Sequence, residues 1–204
     1  MKQLVIVGAG GHGRVAADVA KKMGEYDEVF FLDDCTTGTS GGYTIKGRIC
    51  DARAYVDDSV FFVAVGNNEV RKKIMLSLEK MGSEIATLIH PSAQIGSDVS
   101  IEAGTILMAG SVVNNGSKIG KGVIVNTCAS VDHDCVIDDF VHISVGAHIA
   151  GTVRVGEQTM LGAGATVINN VCICDRCVIG AGAVVVGEIS DSGTYVGVPA
   201  RKIK

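Results

Sequence analysis

The sequence predicts two folds in series: a small α/β unit over residues 1–84, then a parallel β-helix over residues 85–204. Three observations predict this. From Ile89 to Val185 every sixth residue is Ile, Leu or Val, seventeen times without an insertion. The fifth place of each hexad, from Ala93 to Ile189, holds only small or β-branched residues. Ahead of the repeat, apolar strand-like runs alternate with helix-like runs and glycine turns, the grammar of a parallel βαβ sheet.

In the first unit, Gln3 to Val7 reads as a strand and Gly8-Ala-Gly-Gly-His-Gly13 as a glycine turn. His12 to Met23 reads as a helix presenting Val15, Val19 and Met23 on one face. Val29 to Leu32 is a second strand ending at Asp33-Asp34, and Val60 to Val65 a third ending at Gly66-Asn67-Asn68. Glu69 to Met81 is a second helix, and Ile85 to Leu88 a strand leading into the repeat. Such a Rossmann-like sheet binds ligands at the carboxyl ends of its strands, where these loops fall. Gly8-x-Gly10-x-x-Gly13 allows close backbone approach and offers amides that favour phosphate. Asp33 stands where a carboxylate accepts from a ribose or sugar hydroxyl. The unit is short for a full dinucleotide fold, so a nucleotide-linked substrate is the leading expectation, with a dinucleotide or a structural glycine turn as alternatives.

In the repeat, the fifth place and the next first place are two residues apart and face the core, which leaves the third and fourth places at corners. Seven fourth places are glycine and four more are Asp98, Asp134, Asn170 and Glu188, as suits a corner needing a left-handed backbone. Three hexads per triangular coil would stack residues eighteen apart. A hexapeptide period of this kind marks a β-helix in which each coil buries its neighbour's apolar side.

A formal charge of −4 without a basic cluster gives no footprint for nucleic acid or an anionic membrane. No apolar run reaches membrane-spanning length, and Met1-Lys2 runs straight into a strand, unlike a signal peptide, so a cytoplasmic location with reduced cysteines is expected. Cys172, Cys174 and Cys177 could suggest a metal. With their sixth, second and fifth places the three sulfurs should not converge, so no metal site is expected. Cys135 falls at an inward place and reads as core. His133 is a third-place corner residue, and Gly151, eighteen residues on, should lie directly above it and leave space beside the imidazole. Histidine can take a proton near neutral pH, and a neighbouring carboxylate such as Asp134 can orient it. On these residues alone, a merely solvated corner histidine is the other reading.

Six motifs now carry a resemblance across both units: GAGGHG at 8–13, FLDD at 31–34, VGNNEVRKKI at 65–74, IHPSA at 89–93, VNTCASVDHDCVIDDFVHISVGAHIAG at 125–151 and VGVPARK at 196–202. The chain resembles bacterial nucleotide-sugar acetyltransferases of the sialic-acid O-acetyltransferase type, above all those that N-acetylate a UDP-4-amino-4,6-dideoxy sugar in bacillosamine biosynthesis. The resemblance implies a left-handed β-helix, acetyl-CoA as co-substrate without a permanent cofactor, and a homotrimer with active sites between subunits. It implies that His133 is the general base and Asp134 its carboxylate partner, where those enzymes usually carry Glu. It implies a UDP-sugar pocket at Gly10, Gly11, His12, Asp33, Asp34 and Gly66. Asn126, His142, Gly151, Ala163 and Ala181 resemble the acetyl-CoA site. The stretch from Cys35 to Tyr55 matches nothing in the family pattern.

The implied reaction is direct transfer: the sugar nitrogen attacks the thioester as His133 removes its proton, with a backbone N–H near Gly151 as a candidate for stabilising the oxyanion. Rival acceptors are a hydroxyl on sialic acid or another sugar, or a GDP- or dTDP-linked aminosugar. Rival classes are a trimeric zinc hydratase using His133, His142 and His148, and a non-catalytic scaffold.

Overall fold

The computed structural model describes residues 2–204, which pack into two compact units, one ending at Pro91 and one beginning at Ser92. The first unit is a six-stranded sheet built from β1 (Gln3–Val7), β2 (Glu28–Leu32), β3 (Gly38–Ser40), β4 (Tyr43–Gly47), β5 (Ser59–Val63) and β6 (Glu84–Ile85). Their spatial order is β3-β4-β2-β1-β5-β6, parallel throughout except for the β3–β4 hairpin. Helix α1 (Gly11–Met23) crosses from β1 to β2, and α2 (Asn68–Lys80) from β5 to β6. The central strands β1 and β5 are almost wholly buried, which explains their unbroken apolar runs.

Helix α1 packs through small residues, Gly13, Ala16, Ala17 and Ala20, beside Val19, whereas Val15, expected to face inward, is exposed. The close packing follows from Gly13. A Cβ there would collide with the Gly8 carbonyl oxygen and lie 3.3 Å from Phe31 Cε1. Gly13→Ala should therefore lower the melting temperature of the first unit, at a cost of about 1–3 kcal/mol for overpacking against backbone. A thermal melt followed by circular dichroism checks this. The third strand ends at Val63, short of the expected Val65, and Leu88–Ile89 packs on α1 with Met23 Sδ 3.3 Å from the Ile89 amide, drawing residues 85–91 into this unit. The unmatched stretch 35–55 forms the hairpin and a short helical segment, Ile49–Tyr55. Ser40 Oγ donates to Ala9 O at 2.7 Å and so ties the hairpin to the glycine turn.

The second unit is a left-handed parallel β-helix with three faces. Register confirms the eighteen-residue coil: Ile106 pairs with Ile124, then His142, Met160 and Val178 on the first face. Val112, Ser130, His148, Thr166 and Val184 form the second face, and Lys118, Val136, Arg154 and Cys172 the third. Every fourth-place residue from Asp98 to Gly182 has φ between +55° and +77°, eight of them not glycine. Glu188, grouped with them from sequence, does not adopt that conformation. Buried fifth-place hydroxyls are all satisfied: Thr105, Ser111, Ser117 and Thr159 each donate to a backbone carbonyl at 2.7–2.9 Å. No helix among the described residues is long and apolar enough to cross a membrane.

Candidate active site

His133 and Asp134 occupy a corner between the second and third faces, reached through a turn whose two ends are held by one side chain. Ser117, fully buried in the coil below, donates to Asp132 O at 2.7 Å and accepts from Cys135 N at 3.1 Å. The dipeptide between these anchors has little freedom. Asp134 takes the left-handed corner conformation with φ of 58°, which turns its carboxylate back along the coil. There its Oδ2 lies 2.9 Å from His133 Nδ1. The shorter aspartate arm, in place of the glutamate usual in the resembling enzymes, thus still makes the contact.

Two glycines clear room for this pair. A Cβ on Gly151 would lie 2.6 Å from His133 Cε1 and closer still to Nε2, so the imidazole rests on a glycine of the next coil, as the eighteen-residue spacing predicts. On the coil below, a Cβ on Gly116 would meet Asp134 Oδ1 at 2.5 Å. Gly116 was recognisable in the sequence only as a corner glycine; its place eighteen residues before Asp134 is the signal that marks it. Asp132 was likewise not singled out. Its Oδ1 accepts from Asn114 Nδ2 at 2.7 Å and from His133 N at 2.8 Å, which fixes the backbone under the imidazole.

The pair stands open: the His133 side chain is 52% and that of Asp134 64% exposed, so a substrate can reach both. The hydrogen bond to Asp134 holds the His133 imidazole above its ordinary pKa; desolvation works the other way, and the charges of Asp132 and Asp134 add to the rise. With Nδ1–H directed at the carboxylate, Nε2 is left as the basic nitrogen. A base must be neutral to accept a proton, so on the role expected of His133 activity should fall as pH drops through this raised pKa, placing the acid limb of kcat/KM above about 6.5. In Asp134→Asn the acceptor remains but the charge goes, and the limb should move to lower pH. A pH–rate profile of both proteins checks the shift.

Cys135, beside this corner, is fully buried, and burial pushes its thiol up, in keeping with a core role. Two of the three sulfurs of the cysteine cluster come together. Cys174 and Cys177 Sγ approach to 3.5 Å, because a second-place and a fifth-place side chain flank the same tight corner, while Cys172 alone stands apart on the third face.

The other candidates fall into three groups. Asn126 Nδ2 lies 3.3 Å from His142 Nε2 on the first face. Ala163 and Ala181 stack eighteen residues apart on the corner between the first and second faces, joined by the Gly182 amide bonding to Ala163 O. These four lie across the second face from His133; of the acetyl-CoA candidates, Gly151 alone adjoins it. His142 and His148 belong to different faces, so the three histidines of one chain do not converge.

In the first unit, Gly10, Gly11, His12, Asp33, Asp34 and Gly66 gather at the carboxyl edge of the parallel sheet. Space above Gly10 and Gly66 is open, since a Cβ at either meets nothing within 4 Å. Asp33 is an organiser of this edge: Oδ2 accepts from Ala9 N at 2.7 Å, and Oδ1 from Cys35 N and Thr36 N at 2.8 and 2.7 Å. Partial burial pushes its pKa up, but these amide bonds outweigh it and hold the carboxyl below its ordinary range. Asp34 Oδ1 accepts from Ile49 N at 3.0 Å with Arg48 Nε 3.6 Å away.

Comparison with known proteins fits this geometry. Residues 3–78 match the family model described as PglD N-terminal domain, and residues 152–187 match that of the bacterial transferase hexapeptide, six repeats. The acetyltransferase domain of PglB from Neisseria gonorrhoeae FA1090, solved with acetyl coenzyme A, is 41% identical and covers 98% of each chain with a TM-score of 0.97. PerB from Caulobacter crescentus, solved with CoA and GDP-perosamine, is 34% identical over 99% of this chain and 97% of that one, with a TM-score of 0.95. UDP-N-acetylbacillosamine N-acetyltransferase of Bacillus subtilis (strain 168) is 38% identical over 113 residues, 53% of this chain, and the match spans about half of that relative's length, 52%. A left-handed hexapeptide β-helix preceded by a small parallel sheet, matched over nearly the whole chain by solved acetyltransferases, places the protein among the hexapeptide acetyltransferases. The chain belongs to the bacterial nucleotide-sugar N-acetyltransferases.

Proposed function

We propose that this protein transfers acetyl from acetyl-CoA to the 4-amino group of a UDP-linked 4-amino-4,6-dideoxy sugar, with His133 as general base. The observation that carries the reading is the His133 imidazole, bonded to Asp134 through Nδ1 and resting on the bare α-carbon of Gly151. The work divides along the chain. The first unit holds the nucleotide sugar through Gly10, Gly11, His12, Gly66 and the acidic edge Asp33-Asp34, and the β-helix carries out acyl transfer. His133 Nε2 takes a proton from the amine as its nitrogen attacks the thioester carbonyl; the tetrahedral intermediate then expels coenzyme A. The Gly151 N–H, which donates to no acceptor among the described residues, is available for the oxyanion.

Acetyl-CoA binds along Asn126, His142, Ala163 and Ala181 of one chain and meets His133 of another. Within one chain the second face separates these residues from the base, and a homotrimer brings the edge of a neighbouring β-helix to the His133 corner. Three active sites per assembly follow. Sedimentation that finds a fully active monomer contradicts this arrangement.

UDP is favoured by the likeness to the bacillosamine enzyme, whereas the relative solved with GDP-perosamine supports a guanine nucleotide as the second reading. Titration calorimetry with UDP, GDP and dTDP decides between them. Tightest binding of UDP is expected; preference for GDP would move the substrate to a GDP-aminosugar.

A further inference from the structure

Arg71 is the only fully buried charged side chain among the described residues, 1% exposed. It rises from the first turn of α2 beneath the loop that follows β5. Nη1 donates to the carbonyls of Val65 at 3.0 Å and Gly66 at 3.2 Å, and Nη2 donates to Asn68 Oδ1 at 2.9 Å. Burying a guanidinium is costly, and desolvation pulls its pKa down to about 9, which still leaves it charged at neutral pH.

The direction of those carbonyls has a consequence for the loop's other side. In a planar trans peptide the C=O and the following N–H point opposite ways. With the carbonyls of Val65 and Gly66 both drawn inward to one guanidinium, the amides of Gly66 and Asn67 are turned outward. Both residues are exposed, and neither amide donates to an acceptor among the described residues. The two outward amides lie at the same carboxyl edge as the glycine turn, where Gly8 packs its bare α-carbon against Ala64 O.

We propose that Arg71 is a positioning residue for the nucleotide sugar: by clamping the carbonyls of Val65 and Gly66, it presents the Gly66 and Asn67 amides to an oxygen of the ligand's diphosphate. This rests on the assignment of the first unit as the nucleotide-sugar pocket. A planar fork is needed to hold two carbonyls and Asn68 together, which a lysine ammonium does not reproduce. Methionine fills the volume but releases all three acceptors.

The test measures the affinity of Arg71→Met and Arg71→Lys for UDP and GDP, with coenzyme A as control, alongside a thermal melt and the kcat/KM split. In Arg71→Met the Kd of the preferred nucleoside diphosphate and the KM of the nucleotide sugar should rise about tenfold or more, with kcat and coenzyme A affinity within about twofold of wild type. Arg71→Lys should fall between, and it carries the test alone if the methionine variant does not fold. A folded variant with wild-type nucleotide affinity overturns the proposal, as does a parallel loss of coenzyme A affinity, which marks a general structural role. Wild type that binds no nucleoside diphosphate overturns the pocket assignment as well; wild type that binds, with variants that bind equally, overturns the role of Arg71 alone.

Discussion

His133→Ala is expected to lower kcat for acetyl transfer by about 10²- to 10⁴-fold, the usual worth of a positioned general base, with little change in either KM. The expectation follows from where the side chain stands. It is exposed on a corner, so its removal opens no cavity, and its one side-chain hydrogen bond is to Asp134. The turn itself is held by Ser117 through Asp132 O and Cys135 N, which are backbone groups the substitution leaves in place. Loss of rate without loss of fold is therefore the signature. Steady-state kinetics with both substrates varied, beside a thermal melt, check it. Unchanged kcat in a folded variant would remove His133 from the proton transfer.

Gly151→Ala should be nearly as damaging although it adds a single methyl group. That methyl would occupy the space of His133 Nε2 and Cε1. The imidazole must swing aside, away from Asp134 and out of line with the amine. Misplacement of about 1 Å can cost on the order of 10²-fold in rate, so a loss of that size in kcat/KM is expected. The backbone at Gly151 is not in the left-handed region, so alanine brings no strain of its own. Gly187 supplies the control: it occupies the same corner column two coils further on, and a Cβ there meets nothing within 4 Å. Gly187→Ala should keep wild-type activity, and measuring the two variants side by side separates the effect on His133 from any general effect of alanine at this corner.

The β-helix was readable from sequence because its period is rigid. Residues eighteen apart must stack, so the relation of Gly151 to His133 followed from counting, and so did the separation of His142 and His148 onto different faces. Counting also fixed which side chains point inward, Cys135 among them. It did not reveal how close two side chains flanking one corner come, as the sulfurs of Cys174 and Cys177 do. The same blindness hid Ser117, whose role depends on a hydroxyl reaching two backbone groups fifteen and eighteen residues away. In the first unit the strands and helices were legible from hydrophobic period, but the β3–β4 hairpin was not. Its polar, glycine-bearing sequence gives no alternation to read, and it is seated through Ser40 on Ala9 O. Asp33 stands at the carboxyl edge of the sheet, as the strand pattern predicts, yet three loop amides occupy its carboxylate, a contact set by the fold of the loop and invisible in its spacing.

The most direct test of N-acetyl transfer pairs two acceptors that differ in one atom group. A UDP-4-amino-4,6-dideoxy sugar and its 4-hydroxy counterpart are each incubated with acetyl-CoA and the wild-type protein, and release of the coenzyme A thiol is followed. Release with the amine and none with the hydroxyl is the predicted result. Release with the hydroxyl acceptor, or none with any nucleotide aminosugar, would contradict it.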